Sequence, residues 1–142
     1  MKILMLILSL VVLDKGCTDS GINQDAVSIV YSAQSRGTYK YITINKKMVS
    51  VTNKRGTKPT TKSCDENDWN NLIKELNKVD IKNIPNLKAP TEARFYDGAA
   101  IANLKIIYNG ETYETPSFDH GAPPKEIEAL VKEILSIAKN IE

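Results

Sequence analysis

Apolar residues recur at every second position in some stretches of the chain and at helical spacing in others. From Val27 to Ala33, the residues Val27, Ile29 and Tyr31 alternate with Ser28, Val30 and Ser32, a period of two that predicts a strand. Residues Thr38 to Ile44 and Lys47 to Thr52 then suggest a hairpin about Asn45-Lys46. That register sets Ile42 opposite Val49 and Lys40 opposite Val51, so the apolar residues share a face, with Tyr39, Tyr41 and Met48 on the other. The clearest hairpin comes later. Ala102, Leu104, Ile106 and Tyr108 alternate with Asn103, Lys105 and Ile107 up to Asn109-Gly110, the dipeptide favoured by a type I′ turn. Ile106 is expected opposite Tyr113 and Leu104 opposite Thr115, and Pro116, which has no N–H to give, stops the ladder.

Helical spacing takes over between and after these strands. Trp69, Leu72, Ile73 and Leu76 fall at i, i+3, i+4 and i+7, predicting a helix from about Cys64 to Val79. Ser63 and Glu66 have the spacing of a capping box at its start. Ile127, Leu130, Val131, Ile134, Ala138 and Ile141 make the apolar face of a second helix, entered through Pro123-Pro124. Asn53 to Thr61 reads as a polar loop. Ile81, Ile84 and Leu87 at intervals of three suit a short 3₁₀ segment pinned by Pro85. The fold class that satisfies every stripe is α+β: an antiparallel sheet of about five strands, in the order β-β-β-α-β-β-α, packed on one face by two helices.

The N-terminus belongs to none of these elements. Residues Ile3 to Leu13 are continuously apolar behind one lysine, too short a run to span about 30 Å of hydrocarbon at about 1.5 Å per residue, and so read as the core of a signal peptide. Gly16-Cys17 closes it. Here the chain resembles the small cell-envelope lipoproteins of bacteria, whose signal ends on a small residue followed by the cysteine that becomes the lipidated first residue. Asp14 and Lys15 depart from the aliphatic and small residues usual just before that pair. The resemblance implies a signal peptide over 1–16, lipidation of Cys17, attachment to a membrane of the cell envelope through that lipid, and a periplasmic or surface-facing domain. A tether over 17–25 and a single domain over 26–142 follow. Lipid on Cys17 would leave Cys64 as a lone thiol, so the two cysteines of the chain need form no disulfide. At the start of the helix the dipole lends Cys64 some thiolate character, but with no histidine near it in sequence a lone buried thiol is the state expected.

Charge narrows the function classes. With 19 basic and 17 acidic residues, and no arginine- or lysine-rich block, the sequence offers no nucleic-acid footprint. No nucleophile elbow, zinc-protease motif or phosphate-binding loop occurs, and the single histidine has no second one to complete a metal site. Neither metal nor cofactor is therefore expected.

Candidate chemistry gathers in two loops that bound the second hairpin at its open end. Arg94, Phe95, Tyr96, Asp97 and Gly98 precede it; Phe118, Asp119, His120 and Gly121 follow it. Aromatic rings with an arginine point to a contact patch, because such residues supply most of the binding energy at protein interfaces. The binding residues expected are thus Arg94, Tyr96, Asp97, Phe118, Asp119 and His120, and no catalytic residue is assigned. The function expected is a lipid-anchored, non-enzymatic binding module for an envelope protein or small envelope ligand, in an accessory, inhibitor or immunity-like role. The alternative is a small hydrolase or ligand-processing protein in which Asp119 orients His120.

Overall fold

The computed structural model describes residues 21–142; the expected signal segment, Cys17 and the first part of the expected tether lie outside the described residues. The sheet is built outward from β1 (Val27–Gln34), which pairs antiparallel with β2 (Tyr39–Asn45) on one side and β5 (Ile101–Tyr108) on the other. That place suits its alternation. Val27, Ile29, Tyr31 and Ala33 are buried, and Ile42, Ile44, Ala102, Leu104 and Ile106 of its neighbours are buried on the same face. Outside β2 lie β3 (Met48–Thr52) and then β4 (Thr60–Ser63). Outside β5 lie β6 (Glu111–Glu114) and β7 (Phe118–Asp119), which pair with successive parts of it.

Two helices cover the buried face: α1 (Glu66–Leu76) and α2 (Glu128–Lys139). Trp69, Leu72, Ile73 and Leu76 from α1 join Leu130, Val131, Ile134, Ile137 and Ala138 from α2 in one apolar cluster with the strands. Among the described residues the other face carries no α-helix. The α+β antiparallel architecture is as expected, with seven strands in place of about five.

The two extra strands have little apolar signature. β4 has the sequence TTKS and is exposed at all four positions, so its backbone ladder to β3, and no buried stripe, makes it a strand. It corrects both the end of the expected polar loop and the start of the first helix. Ser63 is paired with Met48 in the sheet and cannot cap; Asp65 does so instead, its carboxylate accepting the N–H groups of Asn67 at 2.9 Å and Asp68 at 3.4 Å.

The first hairpin turns one residue later than expected. Asn45 Oδ1 accepts the N–H groups of Lys47 and Met48, both at 2.9 Å, and this local ring moves the tight turn to Lys46-Lys47. Ile42 therefore faces Val51 and Ile44 faces Val49. A shift of two leaves each side chain on its expected face, with Tyr41 and Met48 exposed on the uncovered side. The second hairpin has the expected register, Ile106 opposite Tyr113, with Asn109 at φ 49° and Gly110 at φ 79°.

The described part of the expected tether is docked. Ile22 packs against the core, Asn23 N–H donates to the Tyr108 hydroxyl, and Trp69 Nε1–H donates to Gln24 Oε1 at 3.0 Å. Trp69 is accordingly a core anchor with its polar edge satisfied.

The cap assignment gives a direct check. Asp65→Ala is expected to lower stability by about 1 kcal/mol, whereas Ser63→Ala should stay within about 0.5 kcal/mol, as read by urea unfolding of the two variants.

Candidate functional site

β6 and β7 are two halves of one strand, interrupted on the same side of β5. Thr115 still faces Leu104: its N–H donates to the Leu104 carbonyl at 2.9 Å, while its hydroxyl accepts the Leu104 N–H at 3.0 Å. Its own carbonyl turns away to accept from Asn103 Nδ2. Pairing resumes with Phe118 opposite Ala102. Pro116 and Ser117 thus stand against Asn103 alone, an extra residue that shifts the alternation by one position.

That shift decides where the next three side chains go. Phe118 turns into the core, fully buried and 6.3 Å from the Tyr31 ring. This corrects its expected place in a contact patch: the ring fills the interior and offers nothing to a partner. Asp119, opposite Ile101, turns to the other face, and His120 turns back to the helix-covered one.

Asp119 is only 2% exposed, because the chain folds a 3₁₀ turn, Ala93–Tyr96, directly over it. Its Oδ2 accepts from the Thr91 hydroxyl at 2.6 Å and the Ala93 N–H at 2.7 Å. Its Oδ1 accepts from the Arg94 N–H at 2.9 Å and from Arg94 Nη1 at 3.1 Å. Burial alone would raise this carboxyl, yet the donors from Thr91, Arg94 and Ala93 outweigh it and hold the group at about 2. The guanidinium is itself immobilised, 7% exposed, giving Nε–H to Ser117 Oγ at 3.1 Å and Nη1–H to the Thr91 carbonyl at 2.7 Å. Arg94 and Asp119, from the two loops at the open end of the hairpin, therefore meet as a buried ion pair that holds backbone. It leaves little of Arg94 to grip an external anion.

What this clamp presents is a knuckle of two aromatic residues. Phe95 is 64% and Tyr96 82% exposed. Arg94 Cζ lies 4.3 Å from the centre of the Phe95 ring and steadies it from beneath. Asp97 follows at φ 57°, a left-handed conformation that aspartate tolerates, and Gly98 N–H closes the loop on the Ala93 carbonyl at 2.8 Å. A Cβ at Gly98 would come within 3.2 Å of Ala93, so glycine is what lets the loop shut. The Asp97 side chain is exposed.

His120 has a different neighbourhood. Its Nδ1 shares a hydrogen bond of 2.7 Å with the hydroxyl of Tyr31, whose ionisation burial pushes well above the ordinary value. Burial, then the charge of Lys40, lowers the pKa of His120. The pairing of His120 with Asp119 that the hydrolase alternative needs is not formed, because adjacent strand residues point to opposite faces and every Asp119 partner lies on the knuckle side. A hydrolytic dyad of these two groups has no geometric basis. Cys64 lies before the cap of α1, and burial together with Asp68 and Asp65 raises its thiol, which overrides the thiolate character expected from the dipole. Among the described residues, no three of His, Cys, Asp and Glu gather closely enough to hold a metal ion, and no helix is long and apolar enough to cross a membrane.

Phe95 was part of the loop singled out from sequence but not of the expected binding set; its exposure adds it to that set beside Tyr96. The signal that could have found it is the bulge, since a shifted register puts Phe118 inside and leaves Phe95 and Tyr96 as the outward rings. The chain matches no protein-family model, and no curated protein or solved structure is significantly similar to it.

Two titrations test the clamp and the histidine separately. Because Asp119 falls from 3.8 to about 2 on folding, its contribution is complete above about pH 4 and disappears as the pH drops towards 2. Asp119→Asn should melt at lower temperature at pH 7 and show a shallower loss of melting temperature through that acid window. His120, lowered from 6.5, favours the neutral fold: its contribution is complete above that value and is lost as the pH falls through the lower folded one. Thermal melts between pH 7.5 and 5 should therefore slope downwards in the wild type and less so in His120→Gln.

Proposed function

We propose that this chain is a lipid-anchored protein of the bacterial cell envelope that acts as a non-enzymatic binding module, with Phe95 and Tyr96 as the contacts to an envelope protein. The observation that carries the reading is the pairing of exposure with rigidity: two aromatic rings stand in solvent on a loop whose backbone amides are fixed by a buried carboxylate. Large exposed rings are costly to leave in water and strong at interfaces, where a few aromatic side chains supply most of the affinity. A rigid loop also loses little conformational entropy on binding.

Location supports the same reading through the resemblance of the Gly16-Cys17 segment to lipoprotein signals. Acyl chains on Cys17 hold the domain at a membrane without a spanning helix. Arg94, Asp97, Asp119 and His120 then divide by role. Arg94 and Asp119 build the platform, Asp97 lies on its rim, and His120 supports the core side of the same strand. Phe118 fills the interior beneath it.

The test is capture of crosslinked partners from envelope by the lipidated full-length protein and by Phe95→Ala/Tyr96→Ala, with intact mass reading the lipid on Cys17. A partner recovered at stoichiometric yield by the native protein is expected to fall at least tenfold with the variant, whose melting temperature should be unchanged because both rings are exposed. Equal recovery by the two proteins, or recovery by neither, would sink the reading.

A further inference from the structure

Among the described residues the sheet ends in an unpaired edge on the side away from the knuckle. β4 pairs with β3 alone, and all four of its residues are exposed. Cys64 N–H donates to the Lys47 carbonyl at 3.0 Å; the antiparallel alternation therefore turns Lys62 and Thr60 towards β3 and leaves the N–H and C=O groups of Thr61 and Ser63 pointing outward. Such an edge is a template for one more strand.

Charge says what kind of strand. From Ala26 to Cys64 the chain holds eight basic residues and no acidic one. Lys46 and Lys40 are paired, with Asp25 and Glu142, but among the described residues Arg36, Lys47, Lys54, Arg55, Lys58 and Lys62 have no acidic partner. Lys62 lies within the edge strand, Lys58 two residues before its start, and Lys47 stands at its other end. Asp65, the next acidic residue, is committed to the cap of α1. A second copy of the chain laid antiparallel along β4 would crowd the Lys58 and Lys62 charges of both copies onto one short ladder, which opposes pairing of like edges.

We infer that the β4 edge accepts an extended acidic segment of a partner polypeptide as an eighth strand, with main-chain bonds to Thr61 and Ser63 and its carboxylates beside Lys58 and Lys62. This surface is separate from the knuckle, which lies beyond β5 on the far side of β1, β2 and β3. Its outcome is thus independent of whether Phe95 and Tyr96 bind anything.

The probe is a twelve-residue peptide of alternating valine and glutamate, with a glutamine-for-glutamate twin, heparin, and the full-length protein in detergent. Binding is read by fluorescence anisotropy and by amide exchange. The acidic peptide is expected to bind about tenfold or more tightly than its twin, to weaken as salt rises, and to slow exchange at Thr61 and Ser63. Thr61→Pro removes an outward N–H and spares the main-chain ladder to β3, losing only the exposed 3.4 Å hydroxyl contact to Ser50 that Thr61→Val also loses; it should therefore abolish binding, while Thr61→Val keeps it, with the two variants melting alike. Lys58→Glu/Lys62→Glu should lose the acidic peptide and gain a lysine-for-glutamate version. Equal affinity for the acidic peptide and its twin would overturn the inference. So would protection elsewhere than β4, heparin binding as tight and insensitive to Thr61→Pro, or protection of Thr61 and Ser63 by self-association without peptide.

Discussion

A carboxylate that has been taken out of water must be surrounded by donors, and Asp119 organises its end of the molecule by that requirement. Four hydrogen bonds from Thr91, Ala93 and Arg94 meet it, two of them from the backbone of a loop about 25 residues away in sequence. Each of those donors is fixed in turn. Removing the charge would leave the Arg94 guanidinium buried without its counter-ion, and breaking a buried pair by deleting one partner is strongly destabilising. The loop of Ala93 to Gly98 is consequently held by electrostatics and backbone bonding, with almost no apolar burial of its own.

The clamp exists because the sheet breaks step beside it. If β6 had continued in the register of the Asn109-Gly110 hairpin, Ser117 would oppose Ala102 and Phe118 would oppose Ile101 on the uncovered face. The bulge at Pro116 and Ser117 reverses this, so the aromatic ring enters the core next to Tyr31 and the carboxylate emerges under the knuckle. Pro116 cannot donate to the ladder, and Thr115 uses its hydroxyl where a regular strand would use its carbonyl. One inserted residue thus supplies both a core contact and the anchor of a surface loop.

Much of this was legible in the sequence wherever burial enforces a period. β1, β2, β3 and β5, both helices and the second turn follow from alternating or helical stripes, and the class of fold follows from their order. β4 was not legible, since Thr-Thr-Lys-Ser buries nothing and is held by main-chain bonds that carry no side-chain signature. The first turn was displaced by the Asn45 side chain, a local hydrogen bond competing with the tight turn. At the site, the gathering of Arg94 and Asp119 could be read from the open end of the hairpin. The directions of Phe118, Asp119 and His120 could not, because they depend on a one-residue bulge that spacing alone does not reveal.

The knuckle is held through the amides of Ala93 and Arg94 and the closure at Gly98, none of which depends on the side chains at positions 95 and 96. Those two positions are thereby released from any duty to folding. Sequence drift at them can change what the loop touches while the frame beneath stays constant, so the domain is a holder with two exchangeable fittings. Across relatives of such a domain, variation would be expected to concentrate at these two residues and to spare Thr91, Arg94, Gly98 and Asp119.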